Sequence, residues 1–247
     1  MRVAVAGGTG LVGKYVVAEL RAAGHVPVIL APSHRVDLTT GVGLAEKLSG
    51  SDAVIDVTNI VTTRRRTAVD FFSRTTGHLI SAARARQVAH LVTLSIVGSD
   101  EVDFGYYFGK RAQEELVRDG GVPWTVVRAT QFFEFPEPLL NSVSPVVMVP
   151  RMLTRPVAAQ DVAEALVEHV VRGPVGMAPE IAGPDRLDMV DMARRIARAR
   201  GRRRLVVPVT LPGRVGKAMT TGGLLPRGDY LRGRRTFDAH LAALRAA

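Results

Sequence analysis

The chain contains no cysteine among its 247 residues. That absence excludes a disulfide framework, thiolate catalysis and any zinc site built on cysteine. Aromatic residues are scarce, at 5%, which leaves few rings on which nucleic-acid bases would stack. No uncharged apolar run approaches the roughly 18 residues that a membrane helix needs. No secretory leader is expected either, because strand-like sequence starts at Arg2 and the first glycine motif arrives by Gly7. Acidic charge is in short supply: 33 Lys and Arg face 23 Asp and Glu, a formal net charge of +10. Such a balance suits acidic ligands such as phosphates and keeps nucleic acid open as a partner. Hydrophobic residues make up 47% of the chain and charged residues 23%, close to the soluble globular average. The expectation is a soluble, cytoplasmic, globular protein with one large domain, or one domain carrying a smaller lobe.

Short β-rich runs alternate with amphipathic helical stretches, the pattern of a parallel α/β sheet. Strands are read at Val3–Ala6, Val26–Leu30, Ala53–Val57, His90–Ser95 and Trp124–Arg128, and helices at Lys14–Ala23, Thr67–Arg86 and Lys110–Arg118. Too few residues separate the second strand from Ala53 for a full helix, strand and helix. Arg35-Val36 is therefore read as a vestigial strand and Leu44–Leu48 as a short helix. After Gln131 prolines cluster at 136, 138, 145, 150 and 156, as in a loop-rich lobe. Ala159–Val171 and Asp188–Arg200 read as helices within it, and Glu180-Ile181-Ala182 as a returning strand. The fold class is α/β, a doubly wound parallel sheet of Rossmann type. Residues 1–130 form its core, and 131–247 a C-terminal substrate lobe interleaved with that core.

Gly7-Gly8-Thr9-Gly10-Leu11-Val12-Gly13 satisfies both G-x-x-G-x-x-G and G-x-G-x-x-G. The first glycines turn the chain out of the strand, the middle one admits a pyrophosphate to the backbone, and Gly13 permits close packing of helix on strand. The helix that follows aims free N–H groups and its positive end at the phosphates. An NAD site usually places an acid at the end of the second strand. Here that end is Ala31, followed by Ser33, His34 and Arg35, whose groups suit a 2′-phosphate. NADP(H) is favoured, with NAD(H) open because Asp37 lies close by; Asp37 is read as a residue on the adenine side.

Tyr106 and Lys110 stand four residues apart on one helical face. A neighbouring ammonium lowers a phenol's pKa toward a value useful for proton transfer. Tyr107, three residues from Lys110, is read as turned away. Ser95 closes the preceding strand, where its hydroxyl would hold a substrate carbonyl.

Ser95-Ile96-Val97-Gly98, the Tyr106–Lys110 helix with Ala112–Leu116, Val122–Phe132, Pro156–Ala163, Glu180–Pro184 and Thr236-Phe237 extend the likeness begun at Gly7–Gly13. With these motifs the chain resembles, over almost its whole length, the NmrA-like NAD(P)H-binding group of atypical short-chain dehydrogenases/reductases. The resemblance implies a Rossmann fold holding NAD(P)(H) at Thr9, Gly10, Leu11 and Val12. It implies adenine contacts from Asp37-Leu38, a contact from Asn59 or its neighbours, Lys110 on the nicotinamide ribose, and Thr130–Phe132 lining the nicotinamide pocket. The group is similar both to true reductases and to redox-sensing regulators that bind the dinucleotide without turnover. The serine-to-tyrosine spacing departs from the commonest short-chain pattern by one or two residues.

The remaining features have plainer readings. Arg64-Arg65-Arg66 and Arg202-Arg203-Arg204 read as solvated surface, without aromatic interleaving or a DNA-reading helix motif. The six histidines show no ligand spacing, so no metal is expected. Phe132, Phe133 and Phe135 read as a hydrophobic wall, Glu134 as an acid of the substrate pocket, and Met219–Leu225 as a mobile cap. The leading reading is an NADPH-dependent oxidoreductase acting on a small carbonyl, quinone or enone. Tyr106 would be its acid, Lys110 its pKa tuner and ribose anchor, and Ser95 its orienter. The rival is a dinucleotide sensor acting through a protein partner. A small-molecule substrate is expected, and neither membrane nor nucleic acid is favoured as a partner.

Overall fold

Both faces of the first strand are apolar. Val3 and Val5 enter one core cluster, Ala4 and Ala6 another, and none of the four is exposed. A strand of this kind needs cover on both sides, as in the middle of a parallel sheet. The computed structural model describes residues 1–246 and places this strand, β1 (Arg2–Ala6), near one edge of such a sheet. There follow α1 (Leu11–Ala22), β2 (Val26–Leu30), α2 (Leu44–Lys47), β3 (Ala53–Asp56), α3 (Arg65–Ala85), β4 (His90–Ile96), α4 (Gly105–Asp119) and β5 (Trp124–Ala129). The C-terminal half adds α5 (Glu137–Leu140), β6 (Val146–Pro150), β7 (Leu153–Thr154), α6 (Ala159–Arg172), β8 (Gly176–Met177), β9 (Ile181–Ala182) and β10 (Leu187–Asp188). It ends with α7 (Met189–Ala199), β11 (Leu205–Val209), α8 (Gly213–Thr221), β12 (Leu231–Arg232) and α9 (Phe237–Ala246).

The main sheet has eight strands in the order β12-β9-β5-β4-β3-β1-β2, with β8 also on β5, and its pairings are parallel. One face is covered by α1 and α6 through Val12, Val16, Val17 and Leu20 against Val162, Leu166 and Val170. The other is covered by α3 and α4 through Leu79, Ile80, Ala83 and Val117. This is the doubly wound Rossmann arrangement. A third core lies in the C-terminal half, where the buried face of α7 packs on Val147, Val149, Val206, Phe237 and Leu241. Strands β8, β9 and β12 carry the C-terminal half into the main sheet itself. Two small ladders, β6 with β11 and β7 with β10, build the lobe.

Two expectations are corrected. Arg35-Val36 is not a strand. Pro32–His34 makes a single 3-10 turn, and Arg35 takes a left-handed φ of +60°. Arg35 N–H donates to Pro32 O and Val36 N–H to Ala31 O, so these donors are spent locally and none is left for a ladder. The segment turns inward and buries Val36, leaving β2 as the edge. Met219–Leu225 is not a loose cap either: Met219 belongs to α8, and Met219 and Leu224 are both buried in the third core.

Candidate functional site

Strand order reverses at β1, which has β2 on one side and β3 on the other. A crevice opens at such a point beyond the carboxyl ends of the strands. Gly7 leaves β1 there with φ +80°, and a Cβ on it would lie 2.9 Å from Val57 O. A Cβ on Gly13 would lie 2.2 Å from Gly7 O and 2.6 Å from the Gly8 Cα. The loop is thus folded onto itself and onto the segment after β3, leaving no room for side chains at these positions. Gly10 caps α1 in extended backbone, no side chain among the described residues bonds the first-turn N–H groups, and no acid stands in that turn. Thr9, Leu11 and Val12 lie at this end. An uncapped helix start with free amides and no acid fits a dinucleotide pyrophosphate.

Beyond β2, Ser33, His34 and Arg35 are all exposed, with Ser33 Oγ 3.1 Å from His34 Nδ1. The Asp37 carboxylate accepts from Thr39 N–H at 2.8 Å and from its hydroxyl at 2.7 Å. These bonds hold Asp37 below its ordinary pKa and occupy it within its own turn. Leu38 O lies 3.0 Å from His78 Nδ1.

The Tyr106 hydroxyl donates to Asn59 Oδ1 at 2.6 Å. Asn59 sits just past β3, so this bond links α4 to the loop whose Val57 O lies against Gly7. Lys110 is turned elsewhere. Its buried ammonium donates to Leu94 O at 2.8 Å and to Gln113 Oε1 at 2.6 Å, lying 4.5 Å from the centre of the Phe72 ring. Burial pushes the Lys110 pKa down to about 8, against the pull of Asp56 and Glu114. Tyr106 goes the other way: burial, then its neighbour Tyr107, raise it well above the ordinary phenol value. The expected lowering by Lys110 is absent because the ammonium is bonded beneath the helix. Ser95 is buried on β4, and its Oγ has no hydrogen-bond partner among the described residues. The structure therefore brings Tyr106 to Asn59 and does not join Ser95 to either.

Tyr107, read as turned away from Lys110, points into the protein. It is buried in the third core, raised in pKa by burial and faced by the Gln131 side chain. Gln131 Oε1 accepts from the Thr154 hydroxyl, while its Nε2 is buried without a partner among the described residues. Thr130 is also buried. Its N–H donates to Ile181 O at 3.0 Å and its hydroxyl to Arg155 O, so it ties β5 to the lobe. Of the phenylalanine wall, Phe133 packs on Phe237 at 5.5 Å between ring centres, Phe132 bridges Val157, and Phe135 is exposed. Glu134 is raised in pKa, chiefly by burial, with Oε2 unpartnered among the described residues.

Sequence reasoning passed over Asp56 and gave Gln113 no role. Asp56 ends β3 almost fully buried, accepting from Thr58 N–H at 3.0 Å and Thr58 Oγ1 at 2.7 Å on one oxygen. Its other oxygen accepts from Gln113 Nε2 at 2.9 Å. Lys110, Gln113 and Asp56 thus form one buried polar chain under the crevice. The available signals were an acid closing an apolar strand and a glutamine three residues after Lys110.

Known proteins resemble this chain in sequence and in fold. A family described as NAD(P)H-binding matches residues 7–172. A Streptomyces griseus protein, "(4-alkanoyl-5-oxo-2,5-dihydrofuran-3-yl)methyl phosphate reductase", is 30% identical over 80% of this chain and 73% of its own. Among solved structures, an NADPH-dependent quinone oxidoreductase from Escherichia coli complexed with NADPH aligns with TM-score 0.73 at 18% identity, over 98% of this chain and 99% of that one. A short-chain dehydrogenase/reductase superfamily protein from Agrobacterium tumefaciens with bound NAD aligns with TM-score 0.70 at 18% identity, over 100% and 96%. The chain belongs to the NAD(P)H-binding family, on a Rossmann-type α/β fold.

Proposed function

We propose that the protein is an NADPH-dependent reductase of a small carbonyl, quinone or enone. The observation that carries this reading is Tyr106, a phenol bonded to Asn59 in the loop after β3, beside the uncapped start of α1. Bound there, the reduced nicotinamide would supply a hydride. The chain's own part is to hold the substrate oxygen near Tyr106 and to give it a proton from the phenol. Tyr106 is a phenol in its protonated form at neutral pH, the form that donates, and burial makes it a weaker acid than a free phenol. Lys110 acts from below, pinning α4 to β4 through Leu94 O. The reductase relative supports the reaction class; the substrate in its name carries oxo and alkanoyl groups on an unsaturated ring. The preference for NADPH rests on the exposed Ser33-His34-Arg35 turn and on Asp37, whose carboxylate is taken by Thr39.

One observation favours a second reading, a dinucleotide sensor acting through a protein partner. Ser95 is sealed within the sheet and Lys110 is bonded away from Tyr106, so serine, tyrosine and lysine are not assembled as a catalytic trio. Calorimetric titration with NADPH, NADP⁺, NADH and NAD⁺, followed by a quinone, enone and aldehyde turnover panel, separates the two. Tighter binding of NADPH, with turnover lost in Tyr106→Phe, is the expected result. Binding without turnover would select the sensor, and no binding would sink both.

A further inference from the structure

Arg202, Arg203 and Arg204 lead into β11, and the turn at 141–144 leads into β6. Parallel pairing of the two strands, with Leu205 opposite Val146, sets the arginines against that turn. Together with Asn141 they line an open cavity of about 360 Å³. Arg202 donates through Nη1 to Asn141 Oδ1 at 2.6 Å and Leu140 O at 3.3 Å. Arg204 donates through Nη1 to Ser144 O at 2.8 Å and Val143 O at 3.5 Å. Each guanidinium spends one nitrogen on neutral oxygens and keeps its Nε and Nη2 donors, and Arg203 is exposed. Among the described residues no carboxylate comes within ion-pair distance of any of the three.

Nearby arginines are treated differently. Arg200 is bonded to Glu137 at 2.7 Å. A second cavity, lined by Arg195, Arg198, Asp238, Leu241 and Arg245, contains its own carboxylate, and Asp238 bonds Arg195. Of these two cavities, the first has its arginines held by neutral oxygens, with no carboxylate among the lining residues and none within ion-pair distance among the described residues.

We propose that this cavity binds a small phosphate-bearing ligand, a phosphate or diphosphate ester, at a site separate from the glycine loop. Forked guanidinium donors match phosphate oxygens two at a time. Pinning Arg202 and Arg204 beforehand reduces the entropy lost on binding. The volume falls in the range of small-ligand sites, roughly 300–1,000 Å³. No glycine-loop residue lines the cavity, so the site stands whether or not the chain proves to be a reductase.

The test is a titration of the full chain with inorganic pyrophosphate at low ionic strength, followed through backbone amide shifts. It is repeated in Arg203→Glu and Arg203→Gln, which remove no hydrogen bond seen in the structure. Saturable shifts at residues 140–144 and 202–205 are expected, weakened at least about tenfold in Arg203→Glu and less in Arg203→Gln. Pyrophosphate bound at the glycine loop gives its own signals at residues 7–13, so failure of one site is not mistaken for failure of the other. Absent shifts at the arginine turn, or shifts indifferent to Arg203→Glu (an adventitious ion only), would overturn the proposal. So would a short DNA duplex that displaces pyrophosphate from these signals.

Discussion

Tyr106 reaches from α4 to Asn59 in the loop after β3, its hydroxyl 2.6 Å from Oδ1. Asn59 uses the same oxygen to accept from the Ile60 N–H at 2.9 Å. Helix α4 is thereby fastened to the loop after β3, at the point where the sheet changes direction. Removing either partner breaks the same bond. Stability losses in Asn59→Ala and Tyr106→Phe should therefore be non-additive, with a coupling of about 1 kcal/mol in a double-mutant cycle. Urea denaturation of the four proteins measures it, and strict additivity would show that the bond is not formed in solution.

Gly13 is a steric requirement of the glycine loop. Its added Cβ would meet backbone of Gly7 and Gly8 well inside contact distance, and backbone cannot swing aside as a side chain can. Gly13→Ala should cost about 1–3 kcal/mol by overpacking and weaken dinucleotide binding as the loop shifts. Calorimetry and thermal melting check both. Unchanged binding would place the dinucleotide elsewhere.

Lys110 gives stability a pH dependence of known sign. Its folded pKa, near 8, lies below the ordinary 10.5 because the charge is buried. Between those values the unfolded chain binds more protons, so this residue's contribution to stability rises with pH across that window. Below pH 8 the buried charge carries its full penalty. Relative to Lys110→Met, the wild type should gain on the order of a few kcal/mol between about pH 8 and 10.5. Parallel stability curves for the two proteins would show that Lys110 is not buried as a cation.

Arg128 and Glu114 form a nearly buried pair, with Arg128 Nε and Nη2 on the two Glu114 oxygens at 2.9 and 2.7 Å. Arg128 also holds Asp100 at 2.8 Å. Arg128→Met strands the Glu114 carboxylate, which is 4% exposed, and should cost about 3–5 kcal/mol. The double variant Arg128→Met/Glu114→Leu should recover much of this, since an apolar pair carries no stranded charge. Denaturant midpoints of both variants decide it.

Arg35 is the first Lys or Arg to follow β2 in the chain, and it is exposed. Arg35→Glu should weaken NADPH by about tenfold or more while changing NADH little, because only NADPH presents the 2′-phosphate. Equal losses for both would remove the 2′-phosphate role from this turn.

Local pattern alone placed the five front strands, the helices between them and the glycine loop. Each is determined by a short-range rule: buried parallel strands are apolar runs, helices repeat at 3.6, and tight turns admit only glycine. The short spacing between Leu30 and Ala53 ruled out a full helix, strand and helix, but the vestigial strand read at Arg35-Val36 was wrong, because spacing does not show that Val36 folds inward instead of extending. The lobe was harder to read. Its β6 and β11 are parallel partners 59 residues apart, counting from Val146 to Leu205, and neither shows its partner in its own sequence.

The same division runs through the site. Sequence spacing put Tyr106 and Lys110 on one helix face, since i and i+4 are neighbours on any helix. Where their polar ends go depends on what the helix packs against. Leu94 O, Gln113 and buried Asp56 draw the ammonium down, and Asn59 draws the phenol across. Three arginines in a row announced positive charge. Only the pairing of two distant strands turned that charge into a cavity, because convergence of side chains is a property of the packed chain and not of its order.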